Sequence, residues 1–184
     1  MRIVSYGAAC SLDGFIAGED GSIDWLHFSK DVQDIMGAYW KSVDLMVMGR
    51  KTWDVSLAMQ GGGSKKKKKP PAKRADEKIT TYVFSRTLTE IDQPGARLVS
   101  SDPGAFVRDL KSTDGKGICV MGGGELAQSL FEAGVIDEVG LNVHPVLLGA
   151  GVPLFRNAGR RIQLALKESR VLDGGCVYSN YTVR

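Results

Sequence analysis

The chain has 184 residues, 43% of them hydrophobic and 24% charged, with a formal net charge of +3. That size and composition fit one folded domain, residues 1–184, with a substantial core, and exclude a disordered or fibrous chain. No apolar run approaches the roughly 20 residues needed to cross a bilayer, and the N-terminus opens on strand-like sequence without a signal-peptide core, so a cytoplasmic protein with no membrane partner is expected.

In chain order, residues 3–10 are apolar on both faces and read as a central first strand. Residues 11–29 lack periodicity and contain Gly14, Gly18 and Gly21, which predicts one long loop of the kind that commonly carries function. Residues 31–41 place Val32, Ile35, Met36 and Tyr39 on one face at helical spacing. A buried strand over 44–48 then runs into Gly49, Arg50, Lys51, Thr52 and Trp53, where a helix starts. The stretch that follows, GGGSKKKKKPPAKRADEK, sets eight Lys or Arg against two acids between 65 and 78 and alone makes the chain basic. It predicts a flexible insertion over about 60–78. Its lack of aromatic residues for base stacking argues against a nucleic-acid partner.

Strands are expected over 79–84 and Ala96–Val99, then a helix over about 102–110 with Asp102 as N-cap and Pro103 in the first turn. Gly117–Met121 reads as another buried strand. It halts at Gly122, Gly123 and Gly124 before a helix over 125–133. The segments 137–144, 162–171 and 175–183 carry little helical signal, and Asp173-Gly174 marks a hairpin turn. Strands alternating with helices predict an α/β fold with a largely parallel sheet, closed by an antiparallel C-terminal hairpin. Cys10, Cys119 and Cys176 are an odd, widely spaced set that reads as core hydrophobes, and His27 and His144 form no cluster at ligand spacing, so no metal is expected.

Three strand ends carry anion-binding chemistry. At the first, Arg50 offers a planar fork, Lys51 a point charge, and Thr52 a hydroxyl beside the free N–H groups of a helix start. At the second, Ser85 and Thr87 flank Arg86. At the third, three glycines permit a ligand to approach where a Cβ would collide, and the next helix aims its positive dipole end at the same spot. Tight packing is the competing reading of the glycines, and a solvated helix start that of Arg50. Three such junctions exceed what a pyrophosphate needs. A third phosphate, as on the adenosine ribose of NADP, accounts for the surplus charge.

The segments MGRKTW (48–53), VFSRT (83–87) and VMGGGEL (120–126) resemble, in order and spacing, the NADPH-contacting segments of the dihydrofolate reductase superfamily. SLDGFIA (11–17) and LFEAGVIDEVGLNVHPVLLGAGVPLF (130–155) are similar to the reductase domain of the riboflavin-biosynthesis deaminase-reductases, so the resemblance spans nearly the whole chain. It implies a dihydrofolate reductase-like three-layer sandwich with helices on both faces, a homodimer, and an NADPH-dependent reductase. The HxE and PCxxC signature of the deaminase half is absent.

By the same resemblance, NADPH would contact Gly49, Arg50, Lys51 and Thr52; Ser85, Arg86 and Thr87; and Met121, Gly122, Gly123, Gly124, Glu125 and Leu126. The nicotinamide would lie on Ala8 and Ala9, covered by Ile16 and Ala17. Phe15, Trp25 and Asp31 would face the substrate, with Asp13 or Asp34 as the acid that protonates it. A turn role for Asp13 beside Gly14 is the alternative. The first-guess substrate is 5-amino-6-(5-phosphoribosylamino)uracil. A pterin or other small heterocycle comes next, because the chain has neither the DDP segment of the riboflavin reductases nor the proline-tryptophan pair of dihydrofolate reductases. A non-catalytic NADP-binding module and a polyanion binder stay open.

Overall fold

The computed structural model describes residues 1–61, 79–122, 124–156 and 159–184. The expected insertion, residues 62–78 of it, and Gly123 lie outside them. Among the described residues, ten strands and four helices follow one another as β1 (Val4–Ser11), β2 (Phe15–Ala17), α1 (Lys30–Ser42), β3 (Val43–Gly49), α2 (Arg50–Gly61), β4 (Thr80–Phe84), β5 (Ala96–Val99), α3 (Pro103–Lys111), β6 (Gly117–Met121), α4 (Gly124–Glu132), β7 (Glu138–His144), β8 (Val152–Pro153), β9 (Leu164–Val171) and β10 (Val177–Val183).

Eight strands form one sheet in the order β5-β4-β3-β6-β1-β7-β10-β9, and β2 pairs with β8 as a separate ribbon. All pairings from β5 to β7 are parallel; β10 runs antiparallel to both β7 and β9. β1 is central, and the C-terminal edge is antiparallel, as the sequence predicts. The 3-10 turn Asp173–Gly175 joins β9 to β10, with Gly174 at φ +78°.

The two faces of the sheet follow from the period-two alternation of the strands. Val4 and Tyr6, Val47, Phe84, Ile118 and Val120 and Val139 point to one face, where α3 and α4 contribute Val107, Leu126, Leu130 and Phe131. Met46, Met48, Val83 and Cys119 point to the other, against Tyr39 and Trp40 of α1 and Trp53 of α2. Helices therefore cover both faces. α1 begins where the Ser29 hydroxyl accepts from the Val32 N–H, and α3 where Asp102 accepts from the Ala105 N–H at 2.8 Å. The three cysteines are buried, and no disulfide joins them.

One expectation needs correction. Residues 11–29 are not a continuous loop, because Phe15–Ala17 pairs antiparallel with Val152–Pro153. Three residues are too few to show a period, and their partner lies some 135 positions away along the chain.

Candidate functional site

The parallel register places the C-terminal ends of β3, β4 and β6 side by side, next to the middle of β1. Gly7 lies opposite Met121, Met48 opposite Met121, and Gly49 opposite Phe84. The three junctions rich in glycine and cations thus share one end of the sheet, and their side chains touch. Arg50 donates to the Thr87 hydroxyl at 2.7 Å, and Lys51 lies 4.0 Å from Glu125. Gly122 has φ +64°, and a Cβ there would meet the Thr52 hydroxyl at 2.6 Å. Only glycine fits that junction, and the contact locks the β6–α4 turn against the first turn of α2.

Within this cluster Ser85 is buried, and its hydroxyl accepts from the Thr87 and Leu88 N–H groups, which fixes the turn that presents Thr87 and exposed Arg86. Gly49 packs against Leu126, which is buried in the core beneath. Arg156 fills the space over Gly124 and lies 3.4 Å from Glu125. That cation sits in an irregular segment with no pattern around it, and sequence reasoning missed it.

Next to the junctions, α1 stands off the face of β1, β7 and β10 and leaves a cavity of about 360 Å³. Ala8, Ala9 and Met121, all expected at the cofactor, line it. So do Ser5, Tyr39, Trp40 and Tyr178, with Glu138, Asn142 and Asn180 from the strands. Tyr39 and Ser5 share a 2.8 Å hydrogen bond, and burial pushes the Tyr39 phenol well above its ordinary value. Glu138 accepts from Lys167 at 2.6 Å. Glu138, Asn142, Tyr178 and Asn180 escape sequence reasoning because they lie on strands that read only as sheet edge.

The structure separates the other expected residues. Asp13 caps the loop after β7. Its carboxylate accepts from the Ser11 hydroxyl at 2.6 Å and from the Leu148 and Gly149 N–H groups, which together hold its pKa below the usual carboxylate value, the Ser11 bond most of all. That is the chemistry of a tether held ionised. Asp34 pairs with Lys30 on the exposed side of α1 at 2.7 Å, and Asp31 accepts from the Asp173 N–H. Neither carboxylate is among the cavity's lining residues, nor are Phe15, Ile16 and Trp25. Phe15 and Ala17 hold the β2–β8 ribbon, with Ile16 packed against the main core between them. Trp25 meets the His144 ring edge-on at 5.4 Å, with its Nε1 buried and unpartnered. Among the described residues no group of three or more His, Cys, Asp or Glu could hold a metal ion, and no helix is long and apolar enough to cross a membrane.

Comparison with known proteins agrees with this architecture. The chain is 33% identical over 185 residues to the uncharacterized protein YyaP of Bacillus subtilis (strain 168), covering 98% of this chain and 95% of that protein. Its fold is similar to that of a Shewanella sp. PV-4 protein whose name assigns it provisionally to riboflavin biosynthesis, with TM-score 0.80, 28% identity, and 100% and 99% of the two chains covered. It also matches dihydrofolate reductase from Enterococcus faecalis, solved with NADP(H), with TM-score 0.66, 14% identity, and 99% and 96% covered, a likeness of fold. The sequence profile of the RibD C-terminal domain matches residues 2–178, and the chain belongs to that family, within the dihydrofolate reductase-like fold.

Proposed function

We propose that the protein is an NADPH-dependent reductase of a small heterocyclic substrate. The observation that carries this reading is the shared border. Ala8, Ala9 and Met121 line the cavity under α1; Met121 ends β6 at the glycine junction of the cationic cluster, and Ala8 and Ala9 directly follow Gly7, its partner in β1. A dinucleotide laid across Arg50, Thr52, Thr87 and Gly122 would bring its nicotinamide to that border.

The residues present fit such a group. The N-termini of α2 and α4 lie at these junctions, where helix starts carry N–H groups without intrahelical partners, and Arg50, Lys51 and Arg86 supply cations for phosphates, while Thr52 fills the space beside Gly122. When bound, the reduced coenzyme supplies the hydride. The chain's own part is to orient and dry the reacting pair: the Ala8 and Ala9 backbone lies at the border, while Tyr39, Trp40 and Met36 wall the cavity from above. Two substrate classes are compatible with family and fold: the phosphoribosylaminouracil of riboflavin biosynthesis, and a pterin or related ring. The same proposal includes a cytoplasmic homodimer paired along β9, whose outer edge is unpaired in the sheet and carries exposed Leu166 and Val171.

The test is titration with NADPH and NADH. Saturable binding that prefers NADPH, with the preference abolished by reversing Arg50 and Arg86 to Glu, supports the reading. A panel of heterocycles scored by loss of NADPH absorbance then identifies turnover. No response to NADPH, together with heparin binding that vanishes on deletion of residues 65–69, sinks it.

A further inference from the structure

The segment that leads from the β2–β8 ribbon into α1 hangs on one imidazole. Leu26, His27 and Phe28 form part of the wall of the cavity under α1, and Ser29 beside them caps that helix. Among the described residues, a single hydrogen bond ties residues 23–28 to the sheet: the His27 backbone N–H donates to His144 Nδ1 at 3.3 Å. The ring contact of the segment ends on the same side chain, because Trp25 meets His144 edge-on. Its other hydrogen bonds stay within the segment or run to α1 itself, as from the Gln33 amide to the Phe28 carbonyl.

His144 Nδ1 has a second partner. Cys176, the residue before β10, places its Sγ 3.3 Å from the same nitrogen. Burial pushes this thiol up, so it keeps its proton and its sulfur serves as a weak acceptor. A backbone N–H only donates, so it can bond Nδ1 only while that nitrogen carries no proton. Once protonated, Nδ1 donates to Cys176 and leaves the His27 N–H facing another donor. Nε2 is indifferent to the change, since the Asn142 amide 3.1 Å away serves it in either state by turning over.

The surroundings favour release. The His27 ring rests on Gly174, where a Cβ would stand 2.6 Å from His27 Cδ2, and after burial it is the neighbour that lowers the His144 pKa from 6.5. Across β1, His144 stands opposite uncharged Ser11. The carboxylates of the adjoining elements are engaged elsewhere: Asp13 accepts from the Leu148 and Gly149 N–H groups, and Asp31 of α1 from the Asp173 N–H. The titratable groups facing the ring are therefore His27 and Cys176, and neither supplies a negative charge to hold a proton there.

We infer that His144 is a proton-operated latch on the cavity wall: neutral, it holds residues 25–28 against the sheet; protonated, it exchanges the His27 amide for Cys176, and the segment comes away from the N-terminal end of α1's cavity. This holds whatever the cavity takes.

Amide hydrogen exchange of the ligand-free full chain, read residue by residue by NMR and corrected for the intrinsic rate, tests the latch from about pH 7.5 to about pH 5. The His27 amide is expected to lose essentially all its protection, while Val120 in the core of β6 stays protected, which separates local release from unfolding. Acrylamide quenching of tryptophan should rise in step, because Trp25 lies on the released segment. His144→Gln, which has no proton to gain, should remove the pH dependence of both signals. Cys176→Ala, which takes away the acceptor of the charged ring, should move the midpoint to lower pH. The inference is overturned if His27 stays protected at the acid end, if its protection is lost only together with that of Val120, or if the pH dependence survives in His144→Gln. Should His144→Gln not fold, an unchanged midpoint in Cys176→Ala overturns the exchange by itself.

Discussion

Gly122 shows how one missing Cβ can organise a junction. With φ at +64° and Thr52 in the space a methyl would take, Gly122→Ala should cost about 1–2 kcal/mol from the backbone alone, plus the steric clash. The shift of the urea midpoint measures it. Adding Thr52→Ala should recover the steric part and leave the backbone part, whereas full recovery would mean the φ angle is not strained. Asp13 carries a different expectation. Its folded pKa lies below the ordinary 3.8, so the loop tether contributes above that value and is lost as the pH falls through the lower, folded one. Hydrogen exchange at the Leu148 and Gly149 amides should therefore accelerate in that acid range. Asp13→Asn should accelerate it at neutral pH and remove the acid step.

Helix ends are the elements most directly readable from sequence. Asp102 followed by Pro103 predicts the start of α3, and the structure shows the cap bond. Asp102→Ala should cost about 1 kcal/mol by urea denaturation, and Asp102→Asn much less. Strand identity was legible wherever a short, largely apolar run was bounded by turn or helix-start residues, as in β1, β3, β4 and β6. The β2–β8 ribbon was not, because its stability comes from pairing between distant segments rather than from local pattern. The cavity's polar row on β7 and β10 was hidden for a related reason. Glu138, Asn142 and Asn180 look like ordinary solvent-facing residues of edge strands until α1 is seen to roof them.

Across the fold, one titration should dominate near neutrality. His144 is buried, and its pKa is lowered from 6.5 by loss of solvation and, secondarily, by His27. The unfolded chain thus binds more protons, so stability is complete above 6.5 and declines as the pH drops below it, until the folded value is reached. The urea midpoint should fall between about pH 7.5 and pH 5.5, and His144→Asn should flatten that dependence. The proposed β9 pairing is checked by sedimentation: Leu166→Lys should shift a dimer to monomer without altering NADPH affinity.

Composition, alternation and capping were enough to define the parallel α/β class, the central first strand and the three junctions, because each depends on residues adjacent in the chain. The convergence of Arg50, Thr87 and Gly122 at one sheet end, the roofing of the cavity by α1, and the diversion of Asp13, Asp31 and Asp34 into surface tethers and pairs were decided by strand order. Register between strands dozens of positions apart fixes which side chains meet, and no local pattern encodes it.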